Sequence, residues 1–229
     1  MAKKVEHKTE ILESSEALAE QLQGAETWME RHPKTVVGVA VAIALVVGGY
    51  FGFQYYKDNQ NAQAQQEMFQ AVYYFEADSL DLALNGDGNN LGFRDIVQEY
   101  KFTEAANLAN YYAGVAYLKQ GKWELARLYL NDFSSKDLLV QARAYSLIGD
   151  AYMEEQNFDE AARFYSKAAE YKPNKYFTPA YLMKAALAFE KNNQNDKAVE
   201  AYDRIIEKYW DSAEYQNARK YKTRLKGNA

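Results

Sequence analysis

Hydrophobic and polar positions follow three successive patterns along this chain. Residues 9–31, TEILESSEALAEQLQGAETWMER, set Ile11, Leu12, Leu18, Leu22, Trp28 and Met29 among seven glutamates counted over residues 1–34. That spacing predicts a short amphipathic helix, interrupted near Gly24 and too acidic to favour anionic lipid headgroups. Charge then disappears: Thr35 to Phe53, TVVGVAVAIALVVGGYFGF, is 19 residues without an ionisable acid or base. At 1.5 Å per residue this covers about 30 Å, the thickness of a bilayer's hydrocarbon core. A cleavable signal peptide would have a shorter apolar core ending at small residues, whereas Gly52-Phe53-Gln54-Tyr55-Tyr56 follows here. An uncleaved transmembrane helix over 35–56 is the expectation. Beyond residue 57 the helical alternation of apolar and polar positions returns and persists.

Basic residues near the apolar segment orient it. Arg31 and Lys34 precede it, with Lys3, Lys4 and Lys8 further upstream, and only Lys57 follows closely. The N-terminus is expected to face the cytoplasm, with Tyr50, Tyr55 and Tyr56 as an aromatic belt on the far side. Residues from 57 onward would then occupy an extracytoplasmic space, a bacterial periplasm beyond the inner membrane. Within the segment, Ala40, Ala44, Gly48 and Gly52 recur every four residues and form a small-residue stripe suited to close packing against another membrane helix.

The later part repeats itself. LANYYAGVAYLKQGKWELARLYL and RAYSLIGDAYMEEQNFDEAARFYSKAAEYKP align at a spacing of 35 residues, and PAYLMKAALAFEKNNQNDKAVEAYDRII follows at 37. Gly114, Gly149 and Ala186 correspond, as do Tyr117, Tyr152 and Phe189, and Ala126, Ala161 and Ala198. Such copies are paired helices, with small residues permitting close crossing and aromatics filling the gap beside them. On these residues, and on the Ala161, Tyr165, Ala168 and Pro173 pattern of the middle copy, the chain resembles the tetratricopeptide repeat family. The expected fold is therefore all-α: one N-terminal transmembrane helix, then an α-solenoid of helix-turn-helix repeats with a C-terminal capping helix. The expected divisions are an acidic segment 1–34, the membrane helix 35–56, and a membrane-proximal helix with a Gly/Asn-rich loop and degenerate first repeat over 57–106. Three repeats over 107–212 and a basic cap over 213–229, bearing Arg219, Lys220, Lys222, Arg224 and Lys226, complete it.

Composition narrows the chemistry. A net charge of −5 gives no overall positive field for nucleic acid. The absence of Cys removes disulfides and thiolate chemistry, and both histidines, His7 and His32, precede residue 34, so His-based catalysis and metal ligation are not expected beyond it. Asn85, Asp87 and Asn89 mimic the opening of a calcium loop, but Asn90 stands where glycine is needed and Ile96 where glutamate is needed. Gly86, Gly88 and Gly92 are expected to supply turns or a contact surface, and no cofactor or metal is expected. The carboxylate pairs Glu154-Glu155 and Asp159-Glu160 sit at a predicted helix end and helix start, and the serines beyond the N-terminal segment lack a nucleophile motif, so no enzyme is expected.

The tetratricopeptide resemblance implies that the first helix of each pair lines a concave groove. Counted from the repeat starts, it implicates Leu108, Tyr111, Val115 and Leu118, then Arg143, Ser146, Asp150 and Met153, then Met183, Leu187 and Glu190. The Lys, Arg and Asn cluster by which some family members hold acidic C-termini is not matched, and apolar and Met side chains suit an extended or helical peptide. An alternative placement buries several of them in the stack, with a terminal helix filling the groove. The whole arrangement is similar to the YfgM-like ancillary subunits of the Sec translocon. That resemblance implies a non-enzymatic inner-membrane scaffold with SecYEG and a PpiD-like periplasmic chaperone as partners. A cell-envelope assembly or division scaffold, a cytosol-facing organelle adaptor and a hydrolase are the alternatives.

Overall fold

The computed structural model describes residues 23, 25 and 28–227. The expected amphipathic segment 9–31 lies, for most of its length, outside the described residues. Among these the chain is all-helical and contains no strand. It divides into two compact units, Met1–Tyr56 and Lys57–Ala229.

Helix α1, Pro33–Glu76, is 44 residues long and contains a stretch apolar enough to cross a membrane. Its large apolar side chains between Val37 and Phe53 are exposed. Past the apolar segment the backbone stays helical to Glu76, so the membrane-proximal helix is the continuation of α1. The physical reason is composition, because residues 57–76 hold neither Gly nor Pro and are rich in strong helix formers such as Ala, Gln and Glu.

In the second unit, residues 57–76 of α1 are followed by α2 (Leu80–Asn85) and α3 (Phe93–Glu99). Three helix pairs come next: α4 (Glu104–Lys119) with α5 (Trp123–Asp132), α6 (Val140–Glu154) with α7 (Phe158–Glu170), and α8 (Thr178–Lys191) with α9 (Asn195–Lys208). The last helix, α10 (Tyr215–Gly227), packs on α9. Successive helices pack on one another, as a solenoid of short connections requires.

One turn geometry recurs. At the end of α4, Gly121 has φ +72° and the Lys122 N–H donates to Tyr117 O at 2.9 Å. Gln156 (φ +60°) with Asn157 N–H to Tyr152 O, and Asn193 (φ +57°) with Gln194 N–H to Phe189 O, repeat it at 2.9 Å each. These are left-handed helix caps whose long hydrogen bond ties off orphan carbonyls. A fourth instance ends α1, where Asp78 (φ +57°) precedes a Ser79 N–H bond to Tyr74 O at 2.8 Å. Tyr74 thus holds the place of Tyr117, Tyr152 and Phe189, and residues 57–76 act as the first helix of a further pair whose second helix is split into α2 and α3.

Small residues set the crossings. A Cβ on Gly114 would lie 2.5 Å from Leu130 Cγ, and one on Gly149 2.7 Å from the Tyr165 ring. Ala186 occupies the third equivalent place, fully buried in the cluster that contains Tyr202. Ala126, Ala161 and Ala198 are likewise buried at the start of each second helix. Around the split helix, Gly92 lets the backbone pass so close to Leu84 that a Cβ would lie 2.4 Å from its carbonyl oxygen. Asp87 organises that loop by accepting from Asn89 N–H, Asn90 N–H, Asn90 Nδ2 and the Tyr74 hydroxyl. Those donors hold its carboxyl below the usual carboxylate range. The Asp87 oxygens are thus occupied by the chain's own donors.

Because first helices run one way and second helices the other, the stack has two edges. Short turns at 120–122, 155–157 and 192–194 lie on one. The longer loops at 100–103, 133–139, 171–177 and 209–214 lie on the other, the loop edge. Its loops are tied together: Asn107 and Ser134 exchange two hydrogen bonds, Tyr171 donates to Ser135 O at 2.8 Å, and Lys172 donates to Lys136 O.

Candidate protein-interaction face

Helices α4, α6 and α8 present equivalent faces side by side, and side chains from successive repeats meet across them. Tyr111 on α4 is half-buried, its ring 5.2 Å from that of Phe133 and its hydroxyl in hydrogen-bond contact with Arg143 of α6. Burial pushes the Tyr111 hydroxyl pKa up, and the Arg143 guanidinium opposes the shift. Tyr181 on α8 is raised in the same way, also against Arg143, so one exposed cation interacts with tyrosines from both neighbouring repeats.

One turn further along, Lys184 of α8 donates to both carboxylate oxygens of Asp150, at 2.8 and 3.0 Å, and to the buried Ser146 hydroxyl at 3.3 Å. Asp150 also accepts from Tyr165 at 2.7 Å. Tyr165 is 3% exposed, and burial, with Asp150 beside it, drives its hydroxyl pKa far above the ordinary tyrosine value. The last repeat ends similarly, with Tyr202 donating to Glu190 at 2.6 Å and Arg224 of α10 pairing with the other oxygen of Glu190. Burial raises Tyr202 well above the ordinary tyrosine range, with the Glu190 bond contributing in the same direction.

Next to this pair is a cavity of about 310 Å³, walled by Met183, Leu187, Tyr202 and Tyr221, with Lys184, Glu190 and Arg224 at its polar side. This lies at the small end of the usual range for ligand pockets and admits a large apolar side chain. Lys184 and Arg224 are already ion-paired, so neither is a loose cation awaiting a carboxylate.

Of the residues counted from the repeat starts, Met183, Leu187 and Glu190 meet at the cavity, and Arg143, Ser146 and Asp150 belong to the polar ladder beside it. Tyr111 opens that ladder. Leu108, Leu118 and Met153 instead pack against the cores between helices, and Val115 is half-buried among them on the same helix as Leu118. The face is therefore partly packed into the stack, at Tyr111 and Met183 as well as at these residues, while Glu190, at the place equivalent to Leu118 and Met153, stays on the cavity. The C-terminal helix, expected to act as a solvating cap, also builds the cavity wall through Tyr221 and Arg224. Sequence counting missed Tyr181, Lys184, Tyr202, Tyr221 and Arg224. The available signal was opposite charge one repeat apart, Asp150 with Lys184 and Glu190 with Arg224, each separated by 34 residues.

The carboxylates tested for acid–base work serve the stack. Glu155 pairs with Arg127, which lies 4.4 Å over the Tyr152 ring, Glu160 pairs with Arg163, and Asp159 accepts from Asn192 and Gln194 of the next turn. Among the described residues no group of three His, Cys, Asp or Glu side chains is placed to hold a metal ion. Ala40, Ala44, Gly48 and Gly52 are exposed in their own unit, and a Cβ added at Gly48 or Gly52 would meet nothing within 4 Å.

A family model described as tetratricopeptide repeat matches residues 111–176 and again 146–213. The helix pairs of this region are therefore tetratricopeptide repeats, the architecture of a protein-interaction scaffold. No curated protein matches the chain.

Proposed function

We propose that this protein is a membrane-anchored, non-enzymatic scaffold that captures proteins on the first-helix face of its tetratricopeptide stack. The observation that carries this reading is the cavity bounded by Met183, Leu187, Tyr202 and Tyr221, beside the Lys184–Asp150 and Arg224–Glu190 pairs. An apolar side chain of a bound segment enters the cavity, while the exposed Arg143 guanidinium on the same face offers a polar contact. The 19 uncharged residues from Thr35 to Phe53 hold the scaffold in the bacterial inner membrane, N-terminus inside and repeats in the periplasm. The most specific form of the proposal is an ancillary subunit of the Sec translocon. In it, the Ala40, Ala44, Gly48 and Gly52 stripe packs on SecYEG, and the repeats recruit a PpiD-like chaperone or emerging substrates. Its support is the resemblance in architecture and the exposed stripe.

The test is purification of the full-length chain from its native membrane in mild detergent, at low and moderate salt, with mass-spectrometric identification of retained proteins. Stoichiometric translocon subunits are expected. A different envelope complex in their place would reject the Sec assignment and favour an envelope assembly scaffold, and recovery of the chain alone would reject stable scaffolding.

A further inference from the structure

Three successive loops on the loop edge leave large apolar side chains in solvent. Leu138 and Leu139 are each 42% exposed, Tyr176 is 74% and Phe177 42% exposed, and Trp210 is 70% exposed. The loops that carry them are linked by the Tyr171 bond to Ser135 O and the Lys175–Asp211 pair at 4.0 Å. The unit's own chain also enters at this edge. Lys57 lies 3.8 Å from Glu104, and Asn61 Oδ1 accepts from Ala105 N–H at 2.9 Å, both at the start of α4. The apolar segment ends only a few residues earlier in sequence.

We propose that the loop edge docks on the interfacial layer of a lipid bilayer, with Trp210, Tyr176, Phe177, Leu138 and Leu139 as its contacts. Trp and Tyr favour the interface because one end of each ring is apolar and the other polar. Charge on this edge nearly cancels: its four loops hold Lys101, Lys136, Lys172 and Lys175 against Asp137, Asp211 and Glu214, and Lys57 faces Glu104. The driving force is therefore apolar rather than attraction to anionic headgroups, and docking is insensitive to salt and to anionic lipid content. A covalent tether at Lys57 keeps the edge at high effective concentration near the surface, so individually weak side-chain insertions suffice. The inference rests on the membrane anchoring proposed above, but not on any protein partner.

The chain has no cysteine, so single labels can be placed at will. Full-length protein reconstituted in phosphatidylcholine vesicles containing a quencher-bearing lipid would carry a fluorophore at Lys136→Cys on the loop edge, Glu154→Cys on the opposite edge, or Val46→Cys in the apolar segment. First helices of 14–16 residues separate the two edges by about 21–24 Å, so quenching at position 136 should exceed that at 154 by roughly threefold. It should not change when salt or phosphatidylglycerol is added. Replacing Trp210 and Tyr176 together by Ser should lower it about twofold or more, with the circular dichroism spectrum unchanged. Quenching at Val46 but not preferentially at 136 overturns docking while leaving the anchor intact. No quenching at Val46 overturns the anchor and docking together. Quenching at 136 that survives the double substitution, or collapses with salt, overturns the aromatic contact.

Discussion

Gly149 is a position where adding one methyl group should harm a helix that would otherwise welcome it. A Cβ there would lie 2.7 Å from Cδ1 and Cε1 of Tyr165 and 3.1 Å from Cζ. Carbon atoms settle at about 3.5–4.0 Å, so the ring must retreat by about 1 Å. Retreat is obstructed, because Tyr165 is 3% exposed and its hydroxyl is held by Asp150, itself bound by Lys184. Overpacking of this kind costs ~1–3 kcal/mol, against about 1 kcal/mol gained by replacing Gly with Ala inside a helix. Gly149→Ala should therefore destabilise by about 1 kcal/mol, which lowers the melting temperature by roughly 2–4 °C in a unit of this size. Melting of the full chain in mild detergent, followed by circular dichroism, reads this directly. In a Tyr165→Ala background the obstruction is gone, and the same substitution should stabilise by up to about 1 kcal/mol. A rise in melting temperature in the natural background would refute the claim that Gly149 exists to let α6 and α7 approach.

Other substitutions probe the remaining elements. Gln156→Gly should raise stability by about 0.5–1 kcal/mol in the same melting assay, because Gln156 sits at φ +60° where only glycine is unstrained. Thr103→Ala should lower it by ~1 kcal/mol, since the Thr103 hydroxyl caps α4 by accepting from Ala106 N–H at 3.0 Å. Tyr165 and Tyr202 have hydroxyl pKa values raised in the folded state from an ordinary 10.0. Their contribution is present below pH 10.0 and falls as pH rises above it, by about 1.4 kcal/mol per pH unit for each, so alkaline melting curves should drop steeply. Tyr202→Phe should flatten that drop; an unchanged slope would contradict the assignment. Replacing Gly48 and Gly52 by Leu should reduce co-purification with membrane partners while leaving the melting of the repeats unchanged, and full recovery would remove the stripe from the mechanism.

The parts of this fold that could be read in advance are those in which packing forces a residue type to recur. Gly114, Gly149 and Ala186 recur because helices cross closely there, and Tyr117, Tyr152 and Phe189 recur because the cap after them is the same. The fourth cap, after Tyr74, escaped because its partner helix is split by the Gly86–Gly92 loop, which destroys the regular spacing. The continuity of α1 through residue 57 follows from composition, because a change from apolar to polar residues alters the surroundings of a helix without ending it. At the candidate site, the tetratricopeptide resemblance pointed to Met183, Leu187 and Glu190 among others, but counting along a helix does not separate residues on the cavity from those, like Leu118 and Met153, that pack on the cores between helices. The Lys184–Asp150 and Arg224–Glu190 pairs depend on the offset between neighbouring repeats, a tertiary quantity that no single helix encodes.

The central claim, that the cavity face captures protein, is tested most directly by photocross-linking in native membranes. A photoreactive side chain at Leu187, on the cavity wall and 46% exposed, is compared with one at Leu128, 56% exposed on the second helix of another repeat. The account predicts discrete, reproducible protein adducts from position 187 and few from 128. Equal labelling from both positions, or adducts from 128 alone, would contradict it.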